Sequence, residues 1–97
     1  MEHVAGLLAP VTVNLHVKDV IIRRLAHQMG FTIQGCTLAE GQLPIRQTVD
    51  RLRELGYRGS AVLEAWWPPA ADVQETLAGE LASAEAGLTT LKRWLGS

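Results

Sequence analysis

Two stretches of this chain read as strands with an amphipathic helix between them, and that order limits the fold more than any other feature. In "VTVNLHVKD", Val11, Val13, Leu15 and Val17 alternate with Thr12, Asn14, His16 and Lys18. A period of two marks a strand with one apolar and one polar face. "SAVLEAWW" is a second, nearly continuous apolar strand, bounded by Gly59 and by Pro68-Pro69, as in a strand buried between layers. Between them, "PIRQTVDRLRELGY" sets Ile45, Val49, Leu52 and Leu55 on one stripe with charges opposite and closes at Gly56. Strands joined through a helix are most simply parallel neighbours in a right-handed crossover. The expected class is α/β. Two parallel strands do not close a fold, because an all-parallel sheet needs both faces covered.

The flanks extend the pattern. "MEHVAGLLAP" has the character of the last turns of a helix closed by Pro10, and a chain that opens on a helix end carries the expectation that something upstream is missing. Downstream, Asp72 and Glu75 make a capping-box-like start, after which Leu77, Leu81, Ala84, Leu88, Leu91 and Leu95 recur at spacings of three and four. A closing helix from Val73 to Leu95 follows. Gly79 and Gly87 each weaken it by about 1 kcal/mol relative to Ala, so packing must hold it. The segment "DVIIRRLAHQMGFTIQGCTLAEGQ" passes Gly30, Gly35 and Gly41 without holding either period. It reads as a long irregular excursion, of the kind compact domains reserve for function.

Composition narrows the classes. At 97 residues the chain suits one domain and not two. Its 47% hydrophobic and 20% charged residues leave no compositional mark of disorder. Nine Lys and Arg against ten Asp and Glu give a net charge of -1, with no basic block to draw a phosphate backbone, so nucleic acid finds no support as a partner. Cys36 stands alone, which rules out an intrachain disulfide and a Cys/His zinc knuckle and suits a cytoplasmic setting. The apolar run from Val4 to Val13 carries Pro10 and falls short of a bilayer span.

His16 and Glu64 fall near the C-terminal ends of the two strands, the edge at which α/β folds bind ligands. An imidazole and a carboxylate converging there suit a divalent metal of the Mn, Co or Zn type. This spacing alone favours the plainer reading over a metal pair: a hydrogen-bonded strand histidine and a Glu saved from burial by a neighbouring Lys or Arg. Lys18, Arg23 and Arg24 either bind an anionic or polyhydroxylated substrate or form a solvated basic cluster balanced by Asp19. His27 reads as a surface histidine. Trp66 and Trp67 read as packing on the final helix, with one available to wall a pocket. "AEGQ", Ala39 to Gln42, allows a tight turn before the helix.

Taken in order, "NLHVKD", a Gly-rich loop, "EGQLPI", a helix ending in "LGYRG" and then "AVLEAWW" resemble the C-terminal end of the xylose isomerase-like TIM-barrel family. That superfamily holds sugar-phosphate isomerases, ketose 3-epimerases and endonuclease IV-like proteins. The resemblance covers Val11 to about Trp67, and the last helix by position only. It implies a C-terminal fragment of a (β/α)8 barrel, a single partial domain over residues 1–97 with two parallel strands each followed by a helix. It also implies that His16 and Glu64 ligate a divalent metal (Mn, Mg, Co or Zn), that Glu64 serves as catalytic base, and that Lys18 and, less directly, Arg23 bind substrate oxygens. Ala39 replaces one Gly of the family's Gly-x-Gly turn, and Pro44 stands where many members have Asp. "IIRRLAHQMGFTIQG" is similar to a branch acting on oxidised branched sugars, which includes 3-oxo-isoapionate decarboxylases.

A complete barrel takes ~250 residues, and the family's other two ligands, a Glu and an Asp on earlier strands, have no counterpart here. The implied activity is metal-dependent isomerisation or epimerisation of a sugar or sugar phosphate by proton transfer alpha to a carbonyl. The rival expectation is an inactive truncated piece, or one that works only when a partner chain supplies the missing strands. A third is a small α/β interaction module that echoes the motifs. Free sheet edges and an uncovered apolar face predict self-association.

Overall fold

The computed structural model describes residues 2–27 and 29–96; the expected N-terminal helix end and the excursion therefore each have one residue, Met1 and Gln28, outside the description. Helix α1 (Glu2–Leu8) runs into a 3-10 turn (Ala9–Val11), followed by β1 (Asn14–Val17), β2 (Asp19–Arg24), β3 (Phe31–Cys36), α2 (Ile45–Glu54), β4 (Ser60–Leu63) and α3 (Val73–Trp94). β1 and β4 pair in parallel, and β2 and β3 pair antiparallel as a separate two-stranded sheet. The crossover read from the sequence is present: β1 and β4 are neighbours, joined through α2.

The first strand starts later than its alternation predicts. Pro10 sits in the 3-10 turn, the Thr12 N–H donates to the Ala9 carbonyl, and the Thr12 hydroxyl donates to the Leu8 carbonyl. These local bonds hold the backbone in a turn that Pro's fixed φ already favours, and they leave Val11 and Val13 exposed.

The larger correction concerns the described residues of the excursion, 19–27 and 29–42, where β2 and β3 pair as a hairpin and a compact turn follows, in place of an irregular path. Ile22 opposes Ile33 and Arg24 opposes Phe31 across the ladder. Val20, Ile21, Ile22, Thr32 and Ile33 are β-branched and favour strand. Their apolar residues alternate poorly because neither face of the hairpin is deeply buried, so the period carried no signal.

The root of the hairpin is fixed by Asp19, which is 3% exposed. Its carboxylate accepts from the backbone N–H groups of Val20 (3.0 Å), Ala39 (2.9 Å) and Gly41 (3.0 Å). A Cβ on Gly41 would fall on that carboxylate, so the turn needs glycine there to approach so closely. Gln42 adds a second tie, its side-chain oxygen accepting from the Ile22 N–H at 2.8 Å while its own N–H donates to the Val20 carbonyl at 2.9 Å.

Two small cores lie on one side of the β1–β4 ribbon. Ala5 and Ala9 meet Leu52 and Tyr57, and Val17 and Leu38 meet Leu91, with Leu15, Ala61 and Leu63 completing them. α3 begins as its sequence predicts, with the Asp72 carboxylate accepting from the Glu75 N–H at 2.8 Å. It then turns a different face inward. Ser83, Gly87 and Leu91 are buried, whereas Leu77 and Leu81 are 57% and 61% exposed. The cause is local: Gly87 admits Leu63 and Leu38, Gly79 admits the Trp67 indole, and Ser83 shares a 2.9 Å hydroxyl bond with Thr37. Small residues decide which face docks; of the leucines Leu91 goes in with them, and Leu77, Leu81 and Leu88 are left outside.

Asp19→Ala is expected to lower stability by roughly 2–4 kcal/mol, since it strands buried N–H donors, while Asp19→Asn loses less. Urea unfolding of the variants measures this, and a loss below about 0.5 kcal/mol for the alanine form would contradict the role given to Asp19.

Candidate functional site

Successive residues of a strand point to opposite faces. In β1, Leu15 and Val17 turn toward the helices, and Asn14 and His16 turn away and are exposed. Parallel register sets Asn14 beside Ser60, His16 beside Val62 and Val17 beside Leu63. The Glu64 N–H donates to the Val17 carbonyl at 2.8 Å, which extends the ladder by one residue and brings Glu64 alongside Lys18. The outward face therefore carries a row of polar groups. The Ser60 hydroxyl donates to the Asn14 side-chain oxygen at 2.8 Å, His16 follows, and the Lys18 ammonium lies 4.0 Å from the Glu64 carboxylate.

Lys18 also sits 4.9 Å from the centroid of the Trp66 ring. The ion pair is partly open to water, with side-chain exposures of 35% and 54%, so it adds at most about 1 kcal/mol. The ring adds an attraction of similar size, ~0.5–1 kcal/mol. Their combined effect is to place one cation and one carboxylate at the C-terminal ends of adjacent parallel strands, beside an imidazole.

Three of the four residues singled out from the sequence, His16, Lys18 and Glu64, thus share one face. Arg23 does not stand with them in sequence register. It lies on β2 opposite Thr32, exposed, with Arg24 next to it opposite Phe31. His27 is exposed in the loop of the hairpin. Trp67 packs on α3 at Gly79, as expected, but Trp66 does not. It lies beneath Lys18, and its backbone meets Gly35 of β3. The part played by Trp66 was missed, although its place two residues after Glu64 at the end of a strand was the available signal. In "AEGQ", Ala39 adopts φ +79, the left-handed conformation for which the family's glycine would be the unstrained choice.

Among the described residues no three His, Cys, Asp or Glu side chains gather in one place. His16 and Glu64 give two donors, and Glu64 is shared with Lys18, as in the alternative reading of that residue. These residues do not by themselves make a metal site. A mainly apolar cleft of ≈ 140 Å³ lies between β1 and α2, lined by Leu15, Ile45, Val49 and Leu52 and, at β1, also by His16 and Lys18. Its surface is mostly apolar, with His16 and Lys18 joining it to the end of β1 that carries the polar row. No helix among the described residues is long and apolar enough to cross a membrane.

Comparison with known proteins finds a distant, partial relative: 3-oxo-isoapionate decarboxylase of Pectobacterium atrosepticum, 34% identical over 75 residues. The match takes in 77% of this chain and 27% of that protein, so the chain spans about a quarter of the length of the relative it matches. No family model matches the chain, and no solved structure matches it significantly.

Cys36, at the end of β3, is partly covered, and its thiol is pushed above its usual range by burial and then by the Asp19 and Glu40 carboxylates. Less thiolate at a given pH means slower reaction with a disulfide reagent. Cys36 is expected to react with such a reagent more slowly at mildly alkaline pH than a free cysteine peptide does, with the rate continuing to rise at higher pH. Equal rates in stopped-flow labelling would contradict this.

Proposed function

We propose that these residues are the C-terminal part of a (β/α)8 barrel enzyme of the xylose isomerase-like kind, acting on a sugar or sugar acid at the carbon next to a carbonyl. The carrying observation is the sidedness of the β1–β4 ribbon. Helices cover the face of Leu15, Val17, Ala61 and Leu63, and the other face bears Asn14, His16, Lys18 and Glu64. In a doubly wound sheet a second layer of helices would bury those charges at high cost. The lumen of a barrel keeps such groups at its open, C-terminal end. The partial likeness to 3-oxo-isoapionate decarboxylase supports the same reading and favours a sugar acid as substrate, with isomerisation or epimerisation of a sugar phosphate as the neighbouring chemistry.

Both chemistries pass through an enolate. Loss of carbon dioxide from a 3-oxo acid leaves its electron pair on the adjacent carbonyl system, and removal of a proton alpha to a carbonyl does the same. In this reading Lys18 holds the developing negative oxygen, and Glu64 and His16 move the proton. The divalent metal implied by the resemblance would need donors from outside these residues, and no step is assigned to it. The open apolar surfaces of α1 and α3 support a further point: the 97 residues alone are not a complete catalyst.

The test uses the complete polypeptide that contains these residues, assayed on 3-oxo-isoapionate and on ketoses. Glu64→Gln and His16→Ala are expected to lower kcat/KM by about 10²–10⁴ with circular dichroism unchanged, and the 97-residue chain is expected to show no turnover. Full activity in both variants would refute the assignment of these residues.

A further inference from the structure

We propose that Trp66 is a positioning residue: its ring holds the Lys18 ammonium at the C-terminal ends of β1 and β4 independently of Glu64, so that Lys18 stays in place while Glu64 is engaged elsewhere. The consequence for catalysis rests on the function proposed above, in which Glu64 moves a proton and Lys18 holds the developing negative oxygen. The placement of Lys18 does not.

Among the described residues, the two contacts at the ammonium differ in kind. The Glu64 carboxylate lies 4.0 Å away, beyond the reach of a hydrogen bond. It joins two long side chains that are both partly open to water, and such a pair fixes neither of them. The Trp66 ring centroid lies 4.9 Å from the ammonium, within the range over which a ring face attracts a cation. That attraction comes from the quadrupole of the ring and needs no carboxylate.

The ring is also the better seated of the two. A Cβ on Gly35 would run into the Trp66 carbonyl and Cβ, and one on Gly79 would run into the Trp67 indole. The Trp66 backbone therefore lies directly on β3, and the next side chain lies directly on α3, each at a place that a glycine leaves open. Gly35 is buried and pairs with Val20 at the root of the hairpin, the part of the fold that Asp19 ties down. Trp66 thus takes a fixed seat from two elements although it is 54% exposed. An indole on a fixed backbone has few torsions left to settle, and a lysine stem has many.

In the proposed reaction the Glu64 carboxylate has two tasks that conflict. As it turns to the substrate proton, it gives up the ion pair just when charge develops on the oxygen that Lys18 is to meet. An anchor that does not depend on Glu64 keeps the cation preorganised through that step. Trp66 supplies it.

The chain has two lysines, Lys18 and Lys92, so selective carbon-13 labelling of lysine in the full 97-residue chain gives two sets of side-chain signals, and Lys92→Arg assigns them. Protons over a ring face are shifted upfield, and the Lys18 methylene signals nearest the ammonium are expected upfield of those of Lys92. The shift is expected to persist in Glu64→Gln and in Trp66→Phe and to vanish in Trp66→Leu. In the complete polypeptide, Trp66→Leu is expected to lower kcat about tenfold with KM little changed, and Trp66→Phe to restore most of it. Lys18 signals that coincide with those of Lys92 in the wild type, or that lose their shift in Glu64→Gln, would overturn the proposal. So would a shift that survives Trp66→Leu. Signals that behave as expected in a polypeptide without turnover on sugar acids or ketoses would sink the proposed function and leave Trp66 standing as the anchor of Lys18.

Discussion

The arrangement depends on one buried carboxylate. Asp19 follows Lys18 directly and begins the hairpin, and its two oxygens take three backbone N–H groups from residues up to 22 positions further along the chain. A carboxylate with several N–H donors can be buried because its lost hydration is replaced by directed, charge-assisted bonds. Through it the end of β1, the root of the hairpin and the turn leading to α2 are held as a unit. The direction in which β1 ends, and with it the place of Lys18 beside Glu64, follows from that knot.

Much of the fold could be read from residue order, because α2, β4 and the start of α3 obey signals that act within a few positions. Ile45, Val49 and Leu52 mark the inner face of α2, Gly56 takes the positive φ that ends it, and Asp72 caps α3. What could not be read depends on contacts distant in sequence. The hairpin escaped because half-exposed faces erase the alternation from which strands are recognised. The docking face of α3 was legible only at its C-terminal end, where Leu91 and Leu95 of the leucine stripe pack on the core; further up, Ser83 and Gly87, small enough for Thr37 and Leu63 to reach them, select a different face.

The polar row shows the same division. Alternation in "NLHVKD" places His16 and Lys18 on one face, and parallel register with β4 brings Glu64 to it. Trp66 enters only through the path of the chain after β4, where the tryptophan backbone passes against Gly35 and its ring comes under Lys18. A cation held by both a carboxylate and an aromatic face keeps its direction better than a lone surface lysine, whose long stem is otherwise free.

The two glycines of α3 have a consequence for the order in which the protein assembles. Gly79 and Gly87 lower the intrinsic helicity of a segment otherwise rich in Ala, Leu and Glu and capped by Asp72, and the close contacts they admit exist only once partners are in place. Its partners, Leu38, Leu63 and Trp67, come from the turn after the hairpin, from β4 and from the segment beyond it. The docked form of α3 therefore waits on β4 and on the turn after the hairpin, whatever helix Val73–Trp94 forms on its own.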